Sequence, residues 1–282
     1  MNFTPYGIEI GPLTFRYYGM IIMTGALGAA YLVRWLYSKM TDEENDGWIW
    51  DALLWAMVPG VIGARLYHVL TPPKSSLAVG VDTAYYFSHP IEIFSIWQGG
   101  LGMPGALIGG MIGLYLYARK TSQSILPIMD AAAPGVALAQ AVGRWGNFIN
   151  QELYGPPTDL PWKIFIRPEN RMAGFEQYDY FHPLFLYESI WNLLNTGLLI
   201  LIWKRWGSEL KQGDLTLLYF INYGLGRFML EFIRLDFVPL SGINLNQMIM
   251  LGLIILSGFV LVYRKLKKVS KTDLNEYSQK ES

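Results

Sequence analysis

Four stretches of this sequence constrain the fold before anything else does: GMIIMTGALGAAYLV, SIWQGGLGMPGALIGGMIGLYLYA, FLYESIWNLLNTGLLILIW and NQMIMLGLIILSGFVLVY. Each approaches or exceeds the roughly 20 residues that an apolar helix needs to cross a bilayer. Composition agrees, with 52% hydrophobic and only 16% charged residues, where a soluble domain carries about 25% charged. The chain reads as an all-α polytopic membrane protein.

Periodicity and breakers predict about seven transmembrane helices, over residues 17–37, 48–70, 93–118, 125–146, 183–203, 214–232 and 243–263. They form one transmembrane domain, 1–263, followed by a charged cytoplasmic tail, 264–282, expected to be mobile. Flanking Lys and Arg stay on the cytoplasmic side. Arg34, Lys39, Arg119, Lys120, Lys204, Arg205, Lys211 and the basic tail fall on one side, against Lys74, Lys163, Arg167, Arg171 and Arg234 on the other. The N-terminus is therefore expected outside and the C-terminus inside. The first basic residue, Arg16, directly precedes the first apolar run, so no cleavable leader is expected. Segments 71–92 and 147–182 then lie outside, and their Pro, Gly and aromatic content predicts turns, short strands and interfacial pieces.

Several functions are excluded. Lys plus Arg and Asp plus Glu are equal at 22 each, which gives no polybasic surface for nucleic acid. No cysteine is present, so disulfides, thiolate metal sites and a cysteine nucleophile are ruled out together. The three histidines, His68, His89 and His182, show no metal-ligand spacing, and neither a metal nor a cofactor is expected.

Polar residues inside such a chain need a reason. In GRWGNFINQELYG, Gln140, Arg144, Asn147 and Asn150 or Gln151 recur every three to four residues and share a helical face. An arginine at membrane depth costs at least a few kcal/mol and faces partners or an anionic ligand. The stripe is either a helix-packing clamp or a binding site. Gly143 and Gly146 allow close approach of a backbone or a head group.

A second face, in YFINYGLGRFMLEFIRLD, carries Arg227, Glu231 and Arg234. It is either an internal ion pair or, since one carboxylate meets two guanidiniums, a positive seat for a phosphodiester. A third constellation, FHPLFLYES, holds His182, Tyr187 and Glu188. His182 is either an acid–base group or an interfacial hydrogen-bonding residue. Glu188, if buried, needs a cation such as Arg144 or Arg227. Gly105, Gly109 and Gly113 form a packing ladder, and Gly99, Gly100, Gly102 and Pro104 break the helix ahead of it. Tyr17 and Tyr18 read as an aromatic belt or as part of a site. Spacing gives Asp51, Arg65, Glu92 and Asp130 no role.

GRWGNFINQELYG resembles the signature of the bacterial prolipoprotein diacylglyceryl transferases, G-R-x-G-N-F-x-N-x-E followed by an aromatic and Gly. YYG, WQGG, HPLFLYES and GLGRFMLEFIR extend the resemblance in the family's order over nearly the whole chain. It implies a multi-pass enzyme of the bacterial cytoplasmic membrane, acting as a monomer without a cofactor among membrane lipids. The implied reaction moves the diacylglyceryl group of phosphatidylglycerol to the lipobox cysteine thiol of a preprolipoprotein and releases glycerol phosphate. The implied site comprises Tyr18, Arg144, Asn147, Asn150, Glu152, Gly155, Arg227, Glu231 and Arg234, with His182 and Glu188 as substrate contacts. Arg144 and Arg227 hold the lipid phosphate in this reading.

One departure stands out. Many members carry His in a G-G-x-x-x-H-G context in the third span, and this chain has Pro104 there. Either no base acts from that position, or Tyr18, Glu152 or His182 serves. The competing functions are a membrane transporter, which predicts repeat-related broken helices, and a non-catalytic anionic-lipid-binding scaffold.

Overall fold

A computed structural model describes residues 2–4, 7–10, 13–41, 48–73, 76–77, 79–96, 99–122, 124–235, 239–240 and 243–280. The helices are α1 (Tyr17–Thr41), α2 (Trp48–Leu70), the short α3 (Thr83–Ser88) and α4 (Pro90–Phe94), α5 (Met103–Thr121), α6 (Ile125–Asn150), α7 (Leu184–Trp206), α8 (Asp214–Leu230) and α9 (Leu245–Lys280). Five are long and apolar enough to cross a membrane: α1, α2, α6, α7 and the Leu245–Lys267 part of α9. Where the other two spans were expected lie α5, 19 residues, and α8, 17 residues, which are not among those five. At about 1.5 Å per residue α8 is roughly 25 Å long, a little under a hydrocarbon core, and a 3₁₀ turn at Glu231–Ile233 follows it directly.

One expectation is revised. The third span begins at Met103 rather than 93, because Gly99 and Gly100 take φ of +94° and +71° and interrupt the helix. The stretch read as a tail continues α9 as far as Lys280. Residues 2–16, given no element above, form a three-stranded antiparallel sheet of β1 (Asn2–Thr4), β2 (Gly7–Ile10) and β3 (Leu13–Arg16). Among the described residues, segment 71–92 is helical and turn-like, and segment 147–182 holds a two-stranded pair, β4 (Ile164–Phe165) and β5 (Tyr180–Phe181). A last two-stranded pair, β6 (Pro239–Leu240) and β7 (Ile243–Asn244), precedes α9.

The chain divides into two compact units, residues 37–128 and residues 1–36 with 129–282. In the first, α2 and α5 pack through glycines. A Cβ at Gly105, Gly109 or Gly113 would run into the backbone carbonyl of Gly63, Pro59 or Trp55, so the ladder is a packing device. Arg65, only 6% exposed, organises the break ahead of α5. Its guanidinium donates to the carbonyls of Ile93 (2.8 Å), Glu92 (2.5 Å), Gly99 and Gly100 (both 2.9 Å), and Gly102 N–H donates to Ala64 O (2.9 Å). Irregular backbone inside a membrane protein needs such partners. Trp97 and Gln98 of the WQGG stretch lie outside the described residues.

In the second unit α1 runs antiparallel to α6. A Cβ at Gly146 would come within 2.6 Å of the Tyr18 ring, one at Gly143 within 3.4 Å of Ile22, and one at Gly25 within 3.3 Å of Val142. Helix α7 is tied to α6 by Ser189 Oγ donating to Ala141 O (2.9 Å) and Thr196 Oγ1 to Pro134 O (3.3 Å). It is tied to α8 by Trp191 Nε1 donating to Asn222 O (2.9 Å). Asp130, near the start of α6, accepts from Gly213 N, Thr216 N and Thr216 Oγ1 and so anchors the first turn of α8. Arg264 pairs with Asp214 at 2.8 Å, fastening α9 to the same end.

Gly109→Val is expected to destabilise the α2–α5 pair by overpacking, at about 1–3 kcal/mol or more. Thermal unfolding in detergent should show the loss, and a melting temperature equal to wild type would contradict the packing role.

Candidate active site

At the end of the bundle where α6 finishes and α7 begins, three helices bring charged side chains together. Arg144 lies in the penultimate turn of α6, Glu188 at the start of the second turn of α7, and Arg227 in the last turn of α8. Arg144 Nε is 2.6 Å from Glu188 Oε2, and Arg227 Nη1 is 2.7 Å from Glu188 Oε1. One carboxylate thus joins two guanidiniums, each oxygen serving a different one. Side-chain exposure is 4% for Glu188, 21% for Arg144 and 15% for Arg227.

The chain of contacts continues both ways. Arg144 Nη1 donates to Asn147 Oδ1 (3.3 Å), and Asn147 and Asn150 both donate to Glu152 Oε1, at 2.8 and 3.3 Å. On the other side Arg227 Nη2 and Arg234 Nε lie 3.4 and 3.8 Å from Glu231 Oε2. Glu231 Oε1 accepts from Asn246 (2.9 Å) and Asn244 (3.4 Å). Three guanidiniums and three carboxylates make the six-member set formally neutral. Glu152 is exposed while Glu188 and Glu231 are buried. Of the two readings of the Arg227 face, the ion pair is present, between Arg227 and Glu231.

Tyr18, seated against Gly146, is within electrostatic reach of Glu152 and Arg144. Gly155 closes the signature against its neighbours: its N–H donates to His182 O (3.0 Å), and an added Cβ would lie 2.9 Å from His182 Cβ and 3.0 Å from Ile233 O. His182 is placed apart from the arginines in its hydrogen bonding. Its Nδ1 lies 3.1 Å from the Tyr187 hydroxyl, which accepts from Trp162 Nε1 at 2.7 Å.

Of the alternatives Asn150 and Gln151, the polar chain takes Asn150. Helix α6 ends there, and Gln151 adopts φ +53°, so it leaves the helical face. Its amide oxygen accepts from Arg167 N, Arg167 Nε and Asn170 Nδ2, and its Nε2 donates to Phe165 O (3.3 Å), clamping the 164–170 loop to the end of the helix. Gln140 also falls outside the charged chain and accepts from Tyr219 OH at 3.1 Å. Sequence reasoning missed Asn244, Asn246 and Trp162. The signal for the first two was the amide run NLNQ at the head of an apolar helix.

Beside the site, Tyr154, Ile166 and Phe181 form a small core under the 156–181 segment. Burial pushes the Tyr154 hydroxyl above the usual tyrosine range, opposed by the Met172 N–H and the Arg171 charge. The hydroxyl accepts from Met172 N (2.6 Å) and donates to Asn170 O (2.9 Å). Tyr154→Phe should cost about 1–3 kcal/mol by leaving those groups unpaired. Because the folded pKa is raised, this contribution is full below the ordinary tyrosine value near 10 and is lost as pH rises beyond it. Melting temperatures of the two proteins should therefore differ at pH 8 and converge in stronger alkali.

Comparison with known proteins bears on this geometry. Residues 5–263 match the family described as prolipoprotein diacylglyceryl transferase. A curated relative from Synechococcus elongatus, named phosphatidylglycerol–prolipoprotein diacylglyceryl transferase, is 38% identical over 292 residues, covering 100% of this chain and 97% of its own. Relatives of the same name from Parasynechococcus marenigrum and Paenarthrobacter aurescens are 39% and 37% identical, covering 94% and 95% of this chain and 95% and 84% of theirs. A match that runs from ahead of α1 into α9 covers most of the chain, and the chain therefore belongs to the prolipoprotein diacylglyceryl transferase family.

Proposed function

We propose that this protein transfers the diacylglyceryl group of phosphatidylglycerol to the lipobox cysteine thiol of a preprolipoprotein. The observation that carries the reading is the pair Arg144 and Arg227, brought from two helices to one carboxylate while each keeps part of its side chain exposed. The thiol loses its proton and its sulfur attacks the terminal glycerol carbon. An S–C bond forms, the C–O bond to phosphorus breaks, and the electron pair leaves on the phosphate oxygen, which takes up a proton as glycerol phosphate departs. Charge moves onto that oxygen in the transition state, and paired guanidiniums stabilise it preferentially there. In this reading Asn147, Asn150 and Glu152 orient Arg144, Glu231 and Arg234 hold Arg227, and Tyr18, Gly155 and His182 border the substrates.

The seven helices act as seven spans in the bacterial cytoplasmic membrane, N-terminus outside and C-terminus inside. The basic flanks support this orientation, and it puts the arginine pair near the outer surface, where the thiol of an exported precursor arrives. The enzyme works as a monomer. The surrounding positive field lowers the thiol pKa, so the chemistry proceeds with Pro104 where many family members carry histidine.

Purified protein, phosphatidylglycerol and a lipobox peptide in mixed micelles should release glycerol phosphate together with a diacylglyceryl mass gain on the peptide. Arg144→Ala and Arg227→Ala should each lower kcat/KM by at least about 10²–10³-fold while leaving a folded protein. Wild-type rates in either would remove the phosphate-site assignment. Pro104→Ala should retain activity within a few fold, and complete loss would mean that the break ahead of α5 positions a reacting group.

A further inference from the structure

The face of α7 that carries Glu188 stays polar below it. Glu188, Asn192, Asn195 and Leu199 are spaced by four, three and four residues and share one face, none more than 4% exposed. Ser189 and Thr196 bond α6 on one flank of that face, Trp191 bonds α8 on the other, and Glu188 reaches both helices. Asn192 and Asn195 therefore turn into the gap between α6 and α8, about 6 and 10 Å deeper along the helix than Glu188. Gln140, four residues before Arg144, and Tyr219, eight before Arg227, lie on the same deep side, and the Tyr219 hydroxyl donates across the gap to Gln140 Oε1 (3.1 Å).

Hydrogen bonding within the protein does not satisfy this stripe. Asn192 Nδ2 donates to Glu188 O (2.9 Å), but Asn192 Oδ1 and both polar atoms of the Asn195 amide have no partner among the described residues. On α6, Ala137 and Ala141 share a face with Pro134, whose carbonyl accepts from Thr196, and their side chains offer nothing polar. Buried amides are hydrogen-bonded in folded proteins, by protein or by water. Asn192 Oδ1 requires a donor, and Asn195 requires a donor and an acceptor. A cation or an anion supplies only one of the two, whereas water supplies both in the smallest volume. Glu188 adds to the demand, because one guanidinium bond to each oxygen leaves a lone pair on each unused.

We propose that Asn192 and Asn195 form an internal hydration site, a short file of ordered water that runs from the inner side of Glu188 about two helical turns into the α6–α7–α8 interior. Water in the file donates to Asn192 Oδ1 and Asn195 Oδ1 and accepts from Asn195 Nδ2. Its upper end meets the Glu188 carboxylate on the side that the guanidiniums leave open. The ion pair is thus backed by water rather than by dry packing. The site belongs to the resting protein, so it stands or falls apart from the transferase reading.

The chain contains no cysteine, so a single introduced thiol is a unique infrared reporter. Its S–H stretch shifts on exchange to S–D when the protein, in lipid nanodiscs, is transferred to D2O. A thiol that touches water exchanges directly, whereas one in dry packing waits for a local opening. The thiol of Asn195→Cys should exchange at least about tenfold faster than that of Leu199→Cys, a fully buried position one turn deeper where the substitution opens more space. Asn192→Cys, nearer Glu188, should exchange as fast as Asn195→Cys and carries the test if the latter does not fold. A crystal structure of the unaltered protein, at a resolution that shows ordered water, should place water within hydrogen-bonding distance of Asn192 Oδ1 and of the Asn195 amide. Equal exchange in Leu199→Cys and the asparagine variants, or amides in that crystal structure bonded only to protein atoms, would overturn the inference.

Discussion

A guanidinium withdrawn from water has to be surrounded by oxygen, and the two compact units meet that demand differently. Arg65 is satisfied by backbone carbonyls, four of them from the interrupted stretch ahead of α5. Those carbonyls are available because the helix is broken, and it is broken where Gly99 and Gly100 permit positive φ. Arg144 and Arg227 are satisfied by carboxylate, which neutralises charge as well as hydrogen-bond demand. The first arrangement fixes a fold. The second leaves two partly exposed cations whose partner can share them with a ligand.

Close helix packing decides where those cations stand. Along α1 and α6 the contacts at Gly25, Gly143 and Gly146 set both spacing and register, and the last of them admits the Tyr18 ring beside the polar end of α6. Asp130 performs a similar service at the opposite end by holding the first turn of α8 against α6. Since Asp130 and Arg144 belong to one helix, and Thr216 and Arg227 to another, fastening one end of the pair constrains the other.

Much of this was legible in the sequence, for identifiable reasons. The positions of the five long apolar helices follow from apolar run length, and the Arg144 stripe from a period of three to four. The need of Glu188 for Arg144 or Arg227 follows from the cost of a buried carboxylate, and the structure supplies both. What was not legible depends on the chain leaving a regular element. Gln151 shares the helical spacing of Asn150 but sits one residue past the end of α6, and only its positive φ reveals that it clamps a loop. The β1–β3 sheet is made of strands of three or four residues, too short for alternation to stand out. Asn244 and Asn246 reach Glu231 across more than a dozen residues of sequence, a separation that no local pattern encodes.

The Trp162–Tyr187–His182 chain carries a consequence for proton placement. An indole nitrogen can only donate, so the Tyr187 hydroxyl spends a lone pair on Trp162. The arrangement that gives the tyrosyl proton an acceptor sends it to His182 Nδ1. Neutral imidazole then carries its own hydrogen on Nε2, the tautomer in which the far side of the ring offers a donor and no lone pair. In that state the ring could take up a proton only by giving up its bond from Tyr187. The indole of Trp162, which has no bond to His182 itself, thereby sets the chemical sign of a ring next to Gly155.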